Sequence, residues 1–335
     1  MTTIEDVAKK AKTSIATVSR VLNNKTGFSK ETKQRVLEVV KETGYESNAI
    51  ARSLKNKKTN TIGVIIPNIS SMLSSEILKG IEEYANEQEY SVLVSYTYSE
   101  PEKVLKALKT FHEQRVDGII FTSDPLKEDY YKAIKRMTIP VVLAATESKE
   151  YPVPFVKVND FEAALSAVSY LIDKGHQKIG MLSGPPEDLI AGKTRIDGYK
   201  QALNQAGLEV KSDNIQSHKS FGYEDGKETF KQLIKHSNEI TAIFAASDEM
   251  AAGAIKVAHE MGIAIPSDIS IIGYDNIFLG KVTWPTLTTA GQPLEKMGFE
   301  AMNLLVELMN HKSKTGKEIY ISHEIVERDS VSDIT

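Results

Sequence analysis

The chain has 335 residues, 41% of them hydrophobic and 26% charged, with a formal net charge of -4, seven His and no Cys. This composition suits a globular protein longer than one typical domain, and the absence of thiols excludes a disulfide framework and a thiolate metal site. MTTIEDVAKKAK lacks the apolar core of a secretory signal and no run nears the ~18 apolar residues of a spanning helix, so the expected location is the cytoplasm, with no membrane partner.

Charge is divided unevenly along the chain. Residues 1–60 hold 13 Lys plus Arg against 6 Asp plus Glu, and the remainder holds 28 against 39. Blocks of opposite sign point to one part that seeks phosphate and one that does not.

Thr3 followed by Asp6 forms a capping-box-like start, with Ile4, Val7, Ala8 and Ala11 at helical spacing. Ser14 caps a second short helix whose inward face is Val18, Val21 and Leu22. A third helix is expected from Ser29 to Gly44, with Val36, Leu37 and Val40 inward and Gly44 as a left-handed stop. The first two helices with their tight turn read as a helix-turn-helix, in a headpiece spanning residues 1–46. The second helix leaves Ile15, Ala16, Thr17, Ser19 and Arg20 outward. Placed in the major groove, Ile15 and Ala16 meet thymine methyls, Arg20 binds guanine, and Thr17 and Ser19 grip phosphate. Thr3, Ser14 and Asn23 complete the DNA-facing set expected of this segment.

Residues 47–60 read as a basic hinge. From Thr61, short apolar runs (TIGVIIP, YSVLVSY, DGIIFTS, PVVLAA, KIGMLSG, AIFAAS, SIIGYD) alternate with helix-length amphipathic stretches, which implies parallel βαβ units with helices on both sheet faces. The runs fall into two sets with a seam near Asn159–Glu162, so residues 61–335 are expected to form two similar α/β lobes with doubly wound parallel sheets. Ligands of open α/β sheets bind at the carboxyl ends of the strands, and a cleft between lobes joins two such edges. Asp248, Asp275 and Arg195 stand at or beside expected strand ends, and carboxylates with a guanidinium suit vicinal hydroxyls, which points to a sugar.

Catalytic patterns are missing. Gly192-Lys193-Thr194 resembles the tail of a phosphate loop, but the position that must be Gly is Glu187. No H-E-x-x-H or G-x-S-x-G occurs, and His176 in KGHQKIG reads as closing a helix-to-strand turn. No enzyme, metal or cofactor is expected.

TIEDVAKKAKTSIATVSRVLNN, followed by GYESNAIARSLKNKKTNTIGVIIP and by QRVDGIIF, GHQKIGMLSGP, RIDGY, AIFAASDEMA, IPSDISIIGYDN and PTLTTAGQP, resembles the lactose/galactose repressor (LacI/GalR) family over nearly the whole chain. The resemblance implies a helix-turn-helix headpiece on a periplasmic-binding-protein-like body, with crossovers near residues 160, 290 and 320. The first lobe would take about 61–160 and 291–320, and the second about 161–290 and 321–335. It implies a homodimeric regulator, a repressor of carbohydrate-utilisation genes, on pseudo-palindromic operator DNA, controlled allosterically by a small effector. In such proteins the hinge folds on DNA, so Asn48, Ala51, Arg52, Leu54 and Lys57 become DNA-facing candidates, with Leu54 as a minor-groove wedge. Ser47 departs from the family's usual Pro and leaves the hinge less restricted before folding.

The same resemblance places Arg195, Asp248 and Asp275 on the effector and Phe221 as a stacking ring. Ser70, Leu73, Ser74, Asn159 and Asp160 join the expected cleft. Met72, Leu73 and Ser74 replace aromatic side chains of many relatives, which weakens the case for a planar base. Within the family the chain resembles the catabolite control proteins, whose co-effector is a serine-phosphorylated phosphocarrier protein. Asn303 and Glu324 stand where those proteins carry Arg, which leaves that partner the weaker alternative. A solute-binding protein of a transport system and a sugar-modifying enzyme are the rivals from other classes.

Overall fold

Each headpiece helix begins at a side-chain cap, and the caps explain why such short segments are helical. The computed structural model describes residues 2–23, 25–45, 58–237, 239–311 and 317–335, and the chain divides into two units, Met1–Thr59 and Asn60–Thr335. In the first unit Thr3 and Asp6 exchange the reciprocal hydrogen bonds of a capping box before α1 (Ile4–Lys10). Ser14 accepts from the Thr17 N–H at 3.1 Å before α2 (Ile15–Leu22), and Ser29 accepts from the Thr32 N–H at 3.2 Å before α3 (Lys30–Thr43). Gly44 closes α3 at φ 61, a left-handed conformation that favours glycine.

Val7, Ala8, Ala11, Val18, Val21, Val36 and Val39 form the headpiece core, and Arg35 ties α3 to α1 by donating from Nε to the Ala11 carbonyl at 2.8 Å. One expectation is corrected here: Leu37 is 42% exposed and Val39 takes its place inside. A helix advances about 100° per residue. Val36, Val39 and Val40 therefore share one face, and Leu37 turns onto the flank.

The second unit contains two six-stranded sheets. The first comprises β1 (Thr61–Ile66), β2 (Ser91–Tyr96), β3 (Gly118–Thr122), β4 (Val141–Ala144), β5 (Phe155–Val158) and β11 (Glu318–Ile321), in the order β11-β5-β4-β3-β1-β2, all parallel. The second comprises β6 (Ile179–Ser183), β7 (Ile215–Ser217), β8 (Ala242–Ala245), β9 (Ser270–Asp275), β10 (Thr288–Gly291) and β12 (Glu324–Val326), in the order β12-β10-β9-β8-β6-β7. Here β12 runs antiparallel to β10, so the expectation of parallel sheets fails at this one edge. A two-residue link from β11 delivers β12 to that edge with no crossover helix to return it to the parallel direction. The central strands β1, β3, β8 and β9 are almost wholly buried and apolar, as helices on both faces require.

The chain passes between the sheets after Val158, after Gly291 and between Ile321 and Glu324. The second passage leads into α12 (Leu294–Met309), which packs against α4 (Met72–Glu87) of the first lobe. Their approach depends on two glycines: a Cβ on Gly80 would lie 1.8 Å from the Glu295 carbonyl oxygen, and one on Gly298 1.9 Å from that of Ile77. His176 is buried, with Nδ1 at 3.1 Å from the Thr241 hydroxyl and Nε2 at 3.2 Å from the Ser332 carbonyl, a structural role at the turn before β6.

Candidate functional site

Between the carboxyl edges of the two sheets lies a cavity of about 310 Å³. The first lobe contributes Pro67 and Asn68 after β1, Ser123 after β3, Ala145 after β4 and Lys157 on β5, with Leu73 and Ser74 from α4. The second contributes Asp160, Arg195, Phe221, Ser247 and Asp275. Strand carboxyl ends collect ligand-binding groups because side chains there leave the ladder and face open space.

A buried charge network forms one end of the cavity. Asp160 opens α7 (Asp160–Asp173), and its Oδ1 accepts from Arg195 Nε at 2.9 Å and from the Tyr274 hydroxyl at 2.9 Å. Arg195 Nη2 lies 2.8 Å from the same oxygen, and Lys157 Nζ lies 3.0 Å from Oδ2. Arg195, on α8 (Gly192–Gln205), also donates from Nη1 to the Ala246 carbonyl, and its guanidinium lies 3.8 Å from the centre of the Tyr274 ring. Burial opposes charge on Asp160, yet Arg195 and Lys157 overcome it and hold the carboxyl below its usual range. The Phe221 ring borders the cavity 5.5 Å from that guanidinium.

Asp275 ends β9 at φ 114, followed by Asn276 at φ 62. Two successive non-glycine residues at positive φ mark local strain, of the kind that collects at functional sites. The turn sets the Asp275 carboxyl in the wall, where Oδ1 accepts from Gln292 Nε2 at 2.7 Å. Burial pushes this carboxyl well above its usual range, and Arg195 offsets the shift only in part.

Among the expected cleft residues, the structure brings Leu73, Ser74, Asp160, Arg195, Phe221 and Asp275 to one cavity. Asp248, Ser70 and Asn159 do not line it. The Ser247 hydroxyl accepts from the Met250 N–H at 3.0 Å and starts α10 (Asp248–Glu260). The first helical turn then aims Asp248 at the sheet, where it accepts from the Thr289 hydroxyl at 2.6 Å and from the Ile277 N–H at 2.9 Å. Burial raises this carboxyl to about 7. Glu249, the next residue, lines the cavity in its stead. Asn159 caps α7 by accepting from the Glu162 N–H at 3.3 Å, and Ser70 sits in an exposed turn held by the Asn68 side chain.

Sequence reasoning missed Lys157, Asp188, Glu249 and Gln292. Lys157 carried a signal, a cation within the apolar run FVKV, and Gln292 directly follows a strand end. Among the described residues no group of three or more His, Asp or Glu could hold a metal ion, and no helix is long and apolar enough to cross a membrane.

In the headpiece, Ile15, Ala16 and Arg20 are exposed along α2, while Thr17 and Ser19 are half-buried. Thr3 and Ser14 are engaged as helix caps, and Asn23 closes α2, donating from Nδ2 to the Ser19 carbonyl at 2.6 Å. Asn48, Ala51, Arg52, Leu54 and Lys57 lie outside the described residues.

Residues 3–48 match the family "Bacterial regulatory proteins, lacI family", and residues 59–329 match "Periplasmic binding proteins and sugar binding domain of LacI family". Catabolite control protein A of Priestia megaterium is 38% identical, with 98% of each chain covered. The HTH-type transcriptional repressor PurR of Mannheimia succiniciproducens is 36% identical, with both chains covered in full. The lac repressor dimer bound to operator and the anti-inducer ONPF superposes with a TM-score of 0.88 at 26% identity, with 99% of each chain covered. A headpiece and a body that both match, and relatives similar from end to end, place the chain in the LacI family of bacterial regulatory proteins, as a DNA-binding transcriptional regulator rather than an enzyme.

Proposed function

We propose that the chain is a homodimeric repressor of carbohydrate-utilisation genes that binds pseudo-palindromic operator DNA through α2, with its affinity set by a small hydroxylated ligand, a sugar, in the interlobe cavity. The carrying observation is the meeting of Asp275, the Arg195–Asp160 pair and the Phe221 ring on one wall. Carboxyl and guanidinium groups accept from and donate to vicinal hydroxyls, and a ring face covers the apolar side of a pyranose. A ligand that touches both lobes stabilises one lobe arrangement over another, and unequal affinity for the two arrangements is what shifts DNA affinity. The hinge residues Asn48, Ala51, Arg52, Leu54 and Lys57 are proposed as further DNA contacts, with Leu54 as the wedge, on the sequence alone.

Dimerisation is supported by Phe278, Val282 and Trp284, which are exposed by 59%, 58% and 89% within one seven-residue stretch of the second lobe. Apolar exposure of that density on a soluble protein marks an association surface, and two headpieces double the contacts with a two-fold operator.

Control by a serine-phosphorylated phosphocarrier protein is the second reading, favoured by the likeness to catabolite control protein A. Against it, Asn303 is engaged by the Tyr84 hydroxyl at 2.8 Å and Glu324 presents an exposed carboxylate where a phosphate needs a cation. Thermal-shift screening of a carbohydrate panel tests the first reading, because a ligand selective for the folded body raises its Tm. Pull-down with phosphorylated and unphosphorylated carrier tests the second, and phosphate-dependent capture overturns our preference.

A further inference from the structure

The charges of the interlobe cavity do not balance. Its wall holds two cations, Lys157 and Arg195, and four carboxylates, Asp160, Asp188, Glu249 and Asp275. Both cations share Asp160, at 3.0 and 2.8 Å, so this trio keeps one net positive charge, part of which Arg195 exerts on Asp275. No described cationic nitrogen lies within 4.0 Å of the other three carboxylates. Asp275 is only 4% exposed and accepts from Gln292 on Oδ1; its burial favours the neutral acid, and a cation placed beside it would draw it into its charged form.

The imbalance extends across the cleft. On the first lobe, Ser123 Oγ and Asp124 Oδ2 are buried without a hydrogen-bond partner among the described residues, and Ser123 lies in the cavity wall at φ 61. Asp124 keeps only the Ser99 hydroxyl, at 2.8 Å on Oδ1. Burial raises the Asp124 carboxyl, the Ser99 hydrogen bond and the Lys127 charge lower it, and the charge of Asp188 on the opposite lobe adds a smaller upward push. Asp124 and Asp188 thus face each other from the two lobes, with Lys127 beside Asp124 on the first lobe, and a positive group between the two carboxyls would favour closure. A neutral hydroxyl can donate to one such oxygen but leaves the net charge enclosed, and a phosphate adds to it. A bare metal ion has no adequate ligand set here.

We infer that the effector carries a protonated amine beside its hydroxyl groups, so that an ammonium set next to Asp275 neutralises Asp188 and Glu249, carboxylates that have no cationic partner among the described residues, while the lobes close around it. The simplest such molecule is an amino sugar. This inference rests on the reading of the cavity as the effector site.

Isothermal titration calorimetry on the full chain at pH 7 tests it with three matched sets: glucosamine, galactosamine and mannosamine, each beside its neutral parent, its N-acetyl form and the 6-phosphate of the parent. The expected result is that in at least one set the amine binds about tenfold tighter than the neutral and N-acetyl forms, with no heat from the phosphate. Asp188→Asn and Glu249→Gln should each narrow that gap to about threefold or less. A neutral or phosphorylated form that binds as tightly as its amine overturns the inference and leaves the cavity as the sugar site. Silence from every compound removes the sugar reading and this inference with it.

Discussion

Arg195 reaches Asp160 with two nitrogens, Nε at 2.9 Å and Nη2 at 2.8 Å, both on Oδ1, and Lys157 of the other lobe holds Oδ2 at 3.0 Å. One carboxylate is therefore shared by two buried cations and joins the lobes beside the first crossing of the chain. Asp160→Ala strands both cations, and loss of one member of a buried pair typically costs about 3–5 kcal/mol. Urea unfolding at pH 7 should show a loss of that size, and a loss below about 1 kcal/mol, the level of an exposed pair, would show that water reaches the cations.

The buried Asp248 makes the body sensitive to pH in a definite direction. Its carboxyl titrates near 7 in the folded chain against 3.8 as the ordinary value, so the folded state binds the extra proton between those limits. Stability contributed by the neutral acid is fully present below about 4, falls as pH rises through about 7 and is flat above. Asp275 is shifted in the same direction by its burial. Asp248→Asn mimics the neutral form and should flatten the decline between pH 5 and 8. A decline as steep as that of the wild type would assign the titration elsewhere.

Close packing of α4 on α12 leaves no room for a side chain at Gly80, whose Cβ would meet the Glu295 carbonyl oxygen at 1.8 Å. Backbone must move to admit it, so Gly80→Ala should destabilise the body by about 3 kcal/mol or more, at the upper end of overpacking effects. Thermal unfolding that matches the wild type within error would mean that the helices separate freely.

Headpiece stability should distinguish Val39 from Leu37. Val39→Ala removes buried methyl groups and should cost about 2 kcal/mol, while Leu37→Gln, on the exposed flank, should change stability by about 0.5 kcal/mol or less. Chemical unfolding followed by far-ultraviolet circular dichroism reads both, and the reverse ranking would place Leu37 in the core.

On DNA, Arg20→Ala should cost about 1–3 kcal/mol against the specific operator if the guanidinium reads guanine. Competition with random duplex separates the roles: equal losses on both would confine Arg20 to phosphate contact.

The two-lobed body was legible because its strands are apolar on both faces and stand between helix-length segments, and the headpiece because Thr3, Ser14, Ser29 and Gly44 carry their capping roles in local chemistry. Local chemistry does not disclose which way a side chain turns at the start of a helix. Asp248 and Glu249 are adjacent carboxylates on the first turn of α10, and only packing against Thr289 and Ile277 sends one to the sheet and the other to the cavity. The same limit hid Leu37, one residue from a core position, and the antiparallel β12, whose direction is decided by the length of a link. Lys157 stands in plain view within FVKV, but its pairing with the cavity residue Asp160 is a tertiary fact.

The central claim is that ligand in the interlobe cavity and DNA on the headpiece share one equilibrium. Its most direct test is fluorescence anisotropy of the full chain on the operator it selects from a random duplex library, with and without a saturating ligand found by thermal shift. The account predicts a change in operator affinity of about 5- to 150-fold, up or down, which disappears in Asp275→Ala. An operator affinity unchanged by a ligand that demonstrably fills the cavity would contradict it.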